Sequence, residues 1–355
     1  MKHTLRRLGA ALAFALLVVA VAAGAASSSG GGYTVTNLVS DQAGHASHLD
    51  ASLVNAWGLA ALPASPWWVS DNGTNVSTLY SASGDKVPLT VAVSDSPTGV
   101  VANAGGDFVV SSGGKSGPSL FLFASESGRI DGWNPTVSQT SAIVAVDRSA
   151  VGAVYKGLAI AKTSHGMRLY ATDFHNGRVD VFDGHFRPVE VNGAFVDRDI
   201  PAGYAPFGIQ ALGGSIFVTY AQQNADRHDD VPGPGHGFVD MYDTSGKLLQ
   251  RVASGGTLDS PWGLAWAPAG FGPFAGDLLV GDFGDGRVNA FAQHDSTFSF
   301  AGQLASNGEP ITIDGLWALQ FGHGEPSNGP TTTLFFTAGP DHEAHGLFGT
   351  ITATG

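Results

Sequence analysis

Apolar and polar positions alternate along most of this chain in short runs closed off by glycine, asparagine or aspartate. That period belongs to half-buried β-strands, and the runs are too short for helices. One stretch predicts strands over 157–162, 167–172 and 178–182, with a fourth beginning at 188–191. Another predicts 263–267, 277–280, 287–291 and 298–304, and an earlier one 67–70, 77–81 and 87–93. The turns between them leave no room for crossover helices, so each group is an antiparallel sheet.

The groups recur. Each opens on a three-residue phrase whose centre is small and whose third residue is aliphatic: Trp57-Gly58-Leu59, Thr98-Gly99-Val100, Lys156-Gly157-Leu158, Phe207-Gly208-Ile209, Trp262-Gly263-Leu264 and Trp317-Ala318-Leu319. A repeat of about 40–55 residues built from short strands is the mark of a β-propeller, one copy per blade. The sixth copy has only three strands, at 317–321, 333–337 and 346–352, while a spare β-type run lies at 33–39. The expected fold is therefore all-β: a six-bladed β-propeller of four-stranded antiparallel blades, with the N-terminal strand completing the last blade and burying its edge. One domain covers 33–355. Two stretches exceed the repeat, a polar insertion at 222–237 and extra residues at 111–119. Long loops on a rigid scaffold are where binding surfaces tend to be placed.

The first residues stand apart. Lys2, Arg6 and Arg7 precede an apolar run over 8–21 and the small residues Ala23-Gly24-Ala25. This is the pattern of a signal peptide over 1–25, and the apolar run is short for a membrane span. A Ser/Gly spacer follows over 26–32. The expected location is secreted or periplasmic, with no membrane insertion after cleavage. The chain has no cysteine, so stability rests on burial without disulfides. Its formal charge of −13 opposes nucleic acid and anionic lipid. A monomer is expected.

The turn Asp282-Phe283-Gly284-Asp285-Gly286-Arg287-Val288, paralleled over 173–179, resembles that of NHL-type propellers. The phrases NLVSDQAGHA, NAWGLA, SPWGLAWAP, LLVGDFGDGRVNAF, DGLWALQFG and FFTAGPDHEAHGLFGTI together resemble an uncharacterised family of secreted bacterial propeller proteins. The resemblance runs from about Asn37 to Ile351. It implies a six-bladed propeller and no established reaction. Members of that family often end in a sorting tail, which is lacking here, and this implies release. A more distant resemblance is to the metal-dependent gluconolactonase and senescence-marker propellers. That group opens its first inner strand with a metal-binding Glu in a Glu-Gly-Pro phrase, where this chain has Asn55-Ala56-Trp57-Gly58. Asp314-Gly315 matches its Asp-Gly phrase, but one carboxylate and one amide make a poor divalent-cation site.

In a propeller the loops before the inner strand and after the second strand open on one face, around the channel mouth. That face is expected to carry Asn55, Trp57, Lys156, Phe207, Trp262, Asp314 and Trp317. Aromatic rings there suit a sugar or another flat ligand, or else wedge the blades together. Lys156 and Asp314 are the stronger functional candidates, because packing does not call for charge. Asp71, Asp173 and Asp282 end equivalent strands, where they could bind a divalent cation such as calcium or cap their own turns. Asp226, His228, Asp229, Asp230 and His236 in the insertion offer metal-type ligands without fixed spacing. His342 and His345 lack the helical spacing of a zinc protease, and His45 and His48 are similarly loose. The chain contains no Gly-x-Ser-x-Gly elbow and no phosphate loop. The reading these residues favour is a non-catalytic extracellular binding or scaffolding protein, taking a small molecule, glycan or protein at the channel face. The alternative is a divalent-cation-dependent hydrolase or lyase with its site at the same mouth. No cofactor is required by the first.

Overall fold

A computed structural model describes residues 32–190 and 193–354. The leader at 1–25, all but the last residue of the spacer, and position 191 of the third blade lie outside the described residues.

The described chain is a six-bladed β-propeller. From the axis outward, blade 1 runs Ala56–Ala60, Trp67–Asp71, Val76–Tyr80 and Lys86–Ala92. Blade 2 runs Pro97–Ala102, Phe121–Ser125, Arg129–Trp133 and Ile143–Asp147. Blade 3 has Tyr155–Thr163, Gly166–Asp173 and Arg178–Asp183. Blade 4 has Tyr204–Leu212, Ser215–Gln222, Phe238–Tyr242 and Leu248–Ser254. Blade 5 has Pro261–Trp266, Leu278–Asp282, Val288–His294 and Thr297–Gln303. Blade 6 has Leu316–Phe321, Leu334–Ala338 and Leu347–Ala353. The strand Tyr33–Ser40 closes it, pairing antiparallel from Tyr33↔Ala353 to Ser40↔Leu347.

Two details differ from the strand-by-strand expectation. Among the described residues the fourth strand of blade 3 is one bridge, Phe182↔Pro188, followed by a Val189 N–H bond to Val181 O at 2.8 Å. Proline has no N–H to extend a ladder. The extra residues of blade 2 form a hairpin, Val109–Ser112 with Lys115–Pro118. Its base turns Phe108 against Phe186, and the Phe108 N–H bonds Gly184 O, so the hairpin anchors on the end of blade 3.

The repeated phrase has a geometric cause. In all six blades the ladder between the two innermost strands slips at that phrase: between Ala56 and Leu59, Pro97 and Val100, Tyr155 and Leu158, Pro206 and Ile209, Pro261 and Gly263, and Leu316 and Leu319. A bulge re-aims the side chain it carries, and here it turns Trp57, Lys156, Phe207, Trp262 and Trp317 toward the axis. The central glycine then faces the next blade. A Cβ on Gly99 would stand 2.5 Å from Leu158 N, and one on Gly263 2.5 Å from Trp317 O. Threonines on the second strand satisfy the backbone freed by the slip. Thr172 accepts the Gly157 N–H at 2.7 Å and donates to Phe207 O at 2.7 Å. Thr337 joins Ala318 to Trp57 in the same way across the closure. Between blades lie separate apolar layers, such as Trp68, Phe121, Phe123 and Trp133 between blades 1 and 2.

Gly208→Ala is expected to cost about 3 kcal/mol, because its Cβ would overlap the Trp262 carbonyl. Gly106→Ala, which meets nothing within 4 Å, is expected to leave stability unchanged. Urea unfolding of the two variants checks both.

Candidate functional site

The inward-turned rings close the channel. Trp57 stacks on Trp317 with centroids 3.5 Å apart, Phe283 stacks on the same indole at 4.1 Å, and Trp262 meets it edge-on at 5.7 Å. Phe207 lies 5.8 Å from Trp317 and 5.2 Å from Phe174. Trp57, Phe207, Trp262 and Trp317 are all buried. Beneath them a void of about 20 Å³ touches all six inner strands, room for about one water. The opposite end opens into a vestibule of about 160 Å³.

A hoop of polar side chains lies over this plug. Asn55 is its hub, held at φ 49° in the left-handed region that asparagine tolerates. Its Oδ1 accepts the indole N–H groups of Trp57 at 2.9 Å and Trp317 at 3.3 Å. Its Nδ2 donates to Asn72 Oδ1 at 3.1 Å and to Glu343 Oε1 at 3.0 Å. Four bonds use the amide's full capacity. Asn72 Nδ2 passes the chain to Glu126 Oε2 at 3.1 Å. The other Glu126 oxygen accepts from Lys156 Nζ, which also reaches Asp229 Oδ1 at 3.2 Å. Asp229 in turn meets His228 Nδ1 at 2.8 Å. Blades 1, 2, 3, 4 and 6 thus contribute to one network, and blade 5 joins through Trp262, whose indole donates to Lys156 O at 3.2 Å.

Lys156 is 1 % exposed and lies 5.1 Å from the Trp57 ring centroid. Burial alone would lower its pKa, but the Glu126 and Asp229 carboxylates outweigh that and hold the ammonium above the ordinary lysine value. Burial also raises Asp229, yet Lys156 and His228 win and keep it ionised below the usual range. Two further carboxyls near this ammonium go the other way. Burial raises Glu343, and it raises Asp230 to about 6. Asp230 Oδ2 and the Ser260 hydroxyl are both sealed from solvent, and the hydroxyl beside the carboxyl offsets part of that rise.

The structure therefore brings Asn55, Trp57, Lys156, Phe207, Trp262 and Trp317 together. Asp314 is exposed and stands apart from the hoop. Its carboxylate accepts the Asp341 N–H at 2.8 Å beside a cleft of about 540 Å³ formed with the N-terminal strand. Asp71, Asp173 and Asp282 are fully buried, each within its own blade. Asp173 takes the N–H groups of Val154 and Asn176, both at 3.2 Å, as a turn cap does. Asp282 accepts from Asn289 at 2.6 Å. From the insertion, His228 and Asp229 reach the mouth, while His236 turns back to Val231 O. His345 pairs with Asp41 at 2.8 Å.

Sequence reasoning missed Asn72, Glu126 and Glu343. The signal for the first two was the position after the second strand, where Asn72, Glu126, Phe174, Gln223 and Phe283 are equivalent by register. Successive strand residues face opposite sides, so the aspartates one position earlier point away from the hoop. Among the described residues one group has metal-ligand spacing: Glu126, His228 and Asp229, with donor atoms within 4.8 Å of one another. As the side chains stand, the Lys156 ammonium already bonds two of the three, so the set fits an ammonium and a divalent cation would have to displace it.

This fold and rim define the chain as a six-bladed propeller with a plugged channel and a charged mouth. Uncharacterized proteins L690 and R648 of Acanthamoeba polyphaga mimivirus are each 32 % identical to it over 333 residues, 90 % of this chain and 85 % and 80 % of theirs. The chain belongs to the family that these proteins represent. They are viral, so the bacterial, secreted origin implied by the sequence resemblance gains no support from them. No protein-family model matches the chain. Among solved structures it is similar to the soluble aldose sugar dehydrogenase of Escherichia coli, at a TM-score of 0.56 and 12 % identity over 90 % of this chain and 99 % of that one. It is also similar to virginiamycin B lyase of Staphylococcus aureus, at 0.51 and 10 % over 91 % and 99 %. At such identities the likeness is one of fold. A gluconolactonase of Xanthomonas campestris aligns at only 0.42, too low to carry the lactonase comparison.

Asn55→Ala strands two indole N–H groups and puts a Cβ branchless of any polar partner at φ 49°. A loss of about 3 kcal/mol is expected, with a changed tryptophan emission spectrum. The raised Asp230 carboxyl predicts a pH effect. Its stabilising share is present below about pH 4, where both states are protonated, and is lost as pH rises through about 6. Asp230→Asn should therefore be more stable than the parent at neutral pH, by on the order of 2 kcal/mol, and urea midpoints across that range would show a flatter profile.

Proposed function

We propose that this protein is a non-catalytic binding protein, exported from the cell, that engages its ligand at the charged mouth of the propeller. The observation that carries this reading is the hoop itself. Its side chains come from blades 1, 2, 3, 4 and 6, yet the floor below it is shut by packed rings. A ligand therefore meets a shallow polar rim and not a deep reaction chamber. The rim favours cationic or hydroxyl-rich ligands, since Glu126, Asp229, Asp230 and Glu343 outnumber its one ammonium. Scaffolding of a partner protein would use the same rim, with the exposed insertion around His228 as its first point of contact.

The divalent-cation-dependent hydrolase is the second reading, and the spacing of Glu126, His228 and Asp229 favours it. Lys156 weighs against it, because a buried ammonium bonded to two of the three ligands repels a second cation at their centre.

Thermal unfolding against oligosaccharides, basic peptides and divalent cations tests the reading. A ligand at one hundred times its Kd should stabilise the protein by about 2.7 kcal/mol, and Asp229→Asn should abolish the shift. A metal-dependent ester or lactone hydrolysis lost in Glu126→Gln would establish the enzyme instead.

A further inference from the structure

We propose that the face of the propeller opposite the mouth carries a binding site for a small monocarboxylic acid with an apolar body. This site is separate from the mouth, and neither reading depends on the other. It is a cleft of about 350 Å³ between blades 3 and 4, within the range of small-molecule pockets. The inner strand of blade 3 runs from the mouth, at Lys156, to this face, at Thr163. Tyr170, Val181, Val189 and Phe195 make the floor and wall of the cleft. Tyr170, Val181 and Phe195 are buried in the apolar layer between the two blades, with the rings of Tyr170 and Phe195 edge to face at 5.6 Å. The Tyr170 hydroxyl donates to Thr244 O at 2.8 Å, and burial lifts its pKa to about 12. Tyr170 therefore offers the cleft a ring and keeps its proton.

One guanidinium overlooks this floor. Arg168 is half-buried, two residues before Tyr170 and on the same face of the strand. Among the described residues its one hydrogen bond is a long one to Met167 O, at 3.4 Å, and no carboxylate pairs with it. The sheet sets Asp183 directly across from Arg168, a placement that favours an ion pair. Asp183 instead accepts the N–H groups of His185 and Arg187, both at 2.9 Å. Asp243, the other carboxyl acting on Tyr170, caps its own turn through the N–H groups of Ser245 at 2.8 Å and Lys247 at 3.0 Å. His165 completes the rim, exposed and with Nδ1 against the Ser164 hydroxyl at 3.1 Å. The ligand class follows from one guanidinium above apolar rings. Its fork matches a carboxylate through two parallel N–H bonds, and the body of the acid lies on Tyr170 and Phe195. One cation in a chain of formal charge −13 compensates a single negative charge, which disfavours a phosphate monoester.

Calorimetric titration of the whole protein with 3-phenylpropionate tests this, with 3-phenylpropanol and acetate as the matches that lack the charge and the apolar body. Saturable one-to-one binding is expected for the acid and none for either match over the same range. Arg168→Gln should lose roughly tenfold or more in affinity while remaining folded, and Arg168→Lys should recover part of that loss. Lys115→Gln, which removes the same charge from the hairpin of blade 2, should bind as the parent does. Phenyl phosphate should bind more weakly than the acid. A peptide ending in phenylalanine, tested beside its C-terminal amide, separates a chain terminus from a free acid as the source of the carboxylate. No binding of the acid, equal binding of acid and alcohol, or an affinity unchanged in Arg168→Gln would overturn the proposal and leave the mouth reading as it stands.

Discussion

Six inner strands must approach one axis closely enough to touch backbone to backbone, and this contact sets the terms for everything around it. A glycine at the centre of each repeat lets the strand meet its neighbour: a Cβ on Gly157 would come to 2.9 Å of Phe207 O, inside van der Waals contact. Approach at that range requires the ladder behind it to slip, and the slip frees an N–H that cannot stay unpaired in the interior. The hydroxyls of Thr172, Thr219 and Thr337 answer that need, the second bonding the Gly208 N–H at 2.8 Å. Alanine at 318 is the exception, at the joint between the last blade and the first. There Thr337 reaches across to the Trp57 carbonyl, and the added N-terminal strand holds the outer edge.

The same slip decides what the channel can be. It turns large rings to the axis at four of the six positions, and they fill it. Rings so placed bury their faces against one another, and the indole N–H groups then need acceptors near the axis. Asn55 meets that need for two of them and the backbone of Lys156 for a third. A single asparagine with all four of its bonds made locks the floor to the rim. The packed floor and the polar rim are thus coupled at one residue. Moving Asn72 or Glu343 moves the acceptor of Trp57 and Trp317.

Legibility in the sequence followed the same division. Repeat number, blade closure and the clustering of Trp57, Phe207, Trp262 and Trp317 could be read because close backbone approach leaves a residue-type signature at a fixed spacing. The short fourth strand of blade 3 could not, since its apolar pattern gives no sign that the described residues make one bridge at Pro188 and one further bond from Val189. The hoop was half legible. Lys156 stood out as a charge in an apolar phrase, but its partners Glu126 and Asp229 lie 30 residues before and 73 after it in the chain. Only the blade register brings them together. Asp71, Asp173 and Asp282 drew attention by repetition, yet repetition marks what each blade needs for itself, and a shared site is built from the positions where the blades differ.

Those differences carry energetic costs at the mouth. Lys156 is buried, so its desolvation is met by the carboxylates of Glu126 and Asp229, and removing both would leave an uncompensated charge. Glu343 reaches Asn55 only because Asp341, His342 and Glu343 all take left-handed backbone angles, φ 57°, 54° and 65°. Each non-glycine residue in that region gives up about 1–2 kcal/mol. The Asp314 carboxylate on the Asp341 N–H and the Asn55 amide on Glu343 offset part of it. A turn selected for stability alone would place glycine there, as blade 5 does at Gly286. Strain at Asp341, His342 and Glu343 and the buried charge of Lys156 thus meet at the mouth, at positions where the blades depart from the repeat.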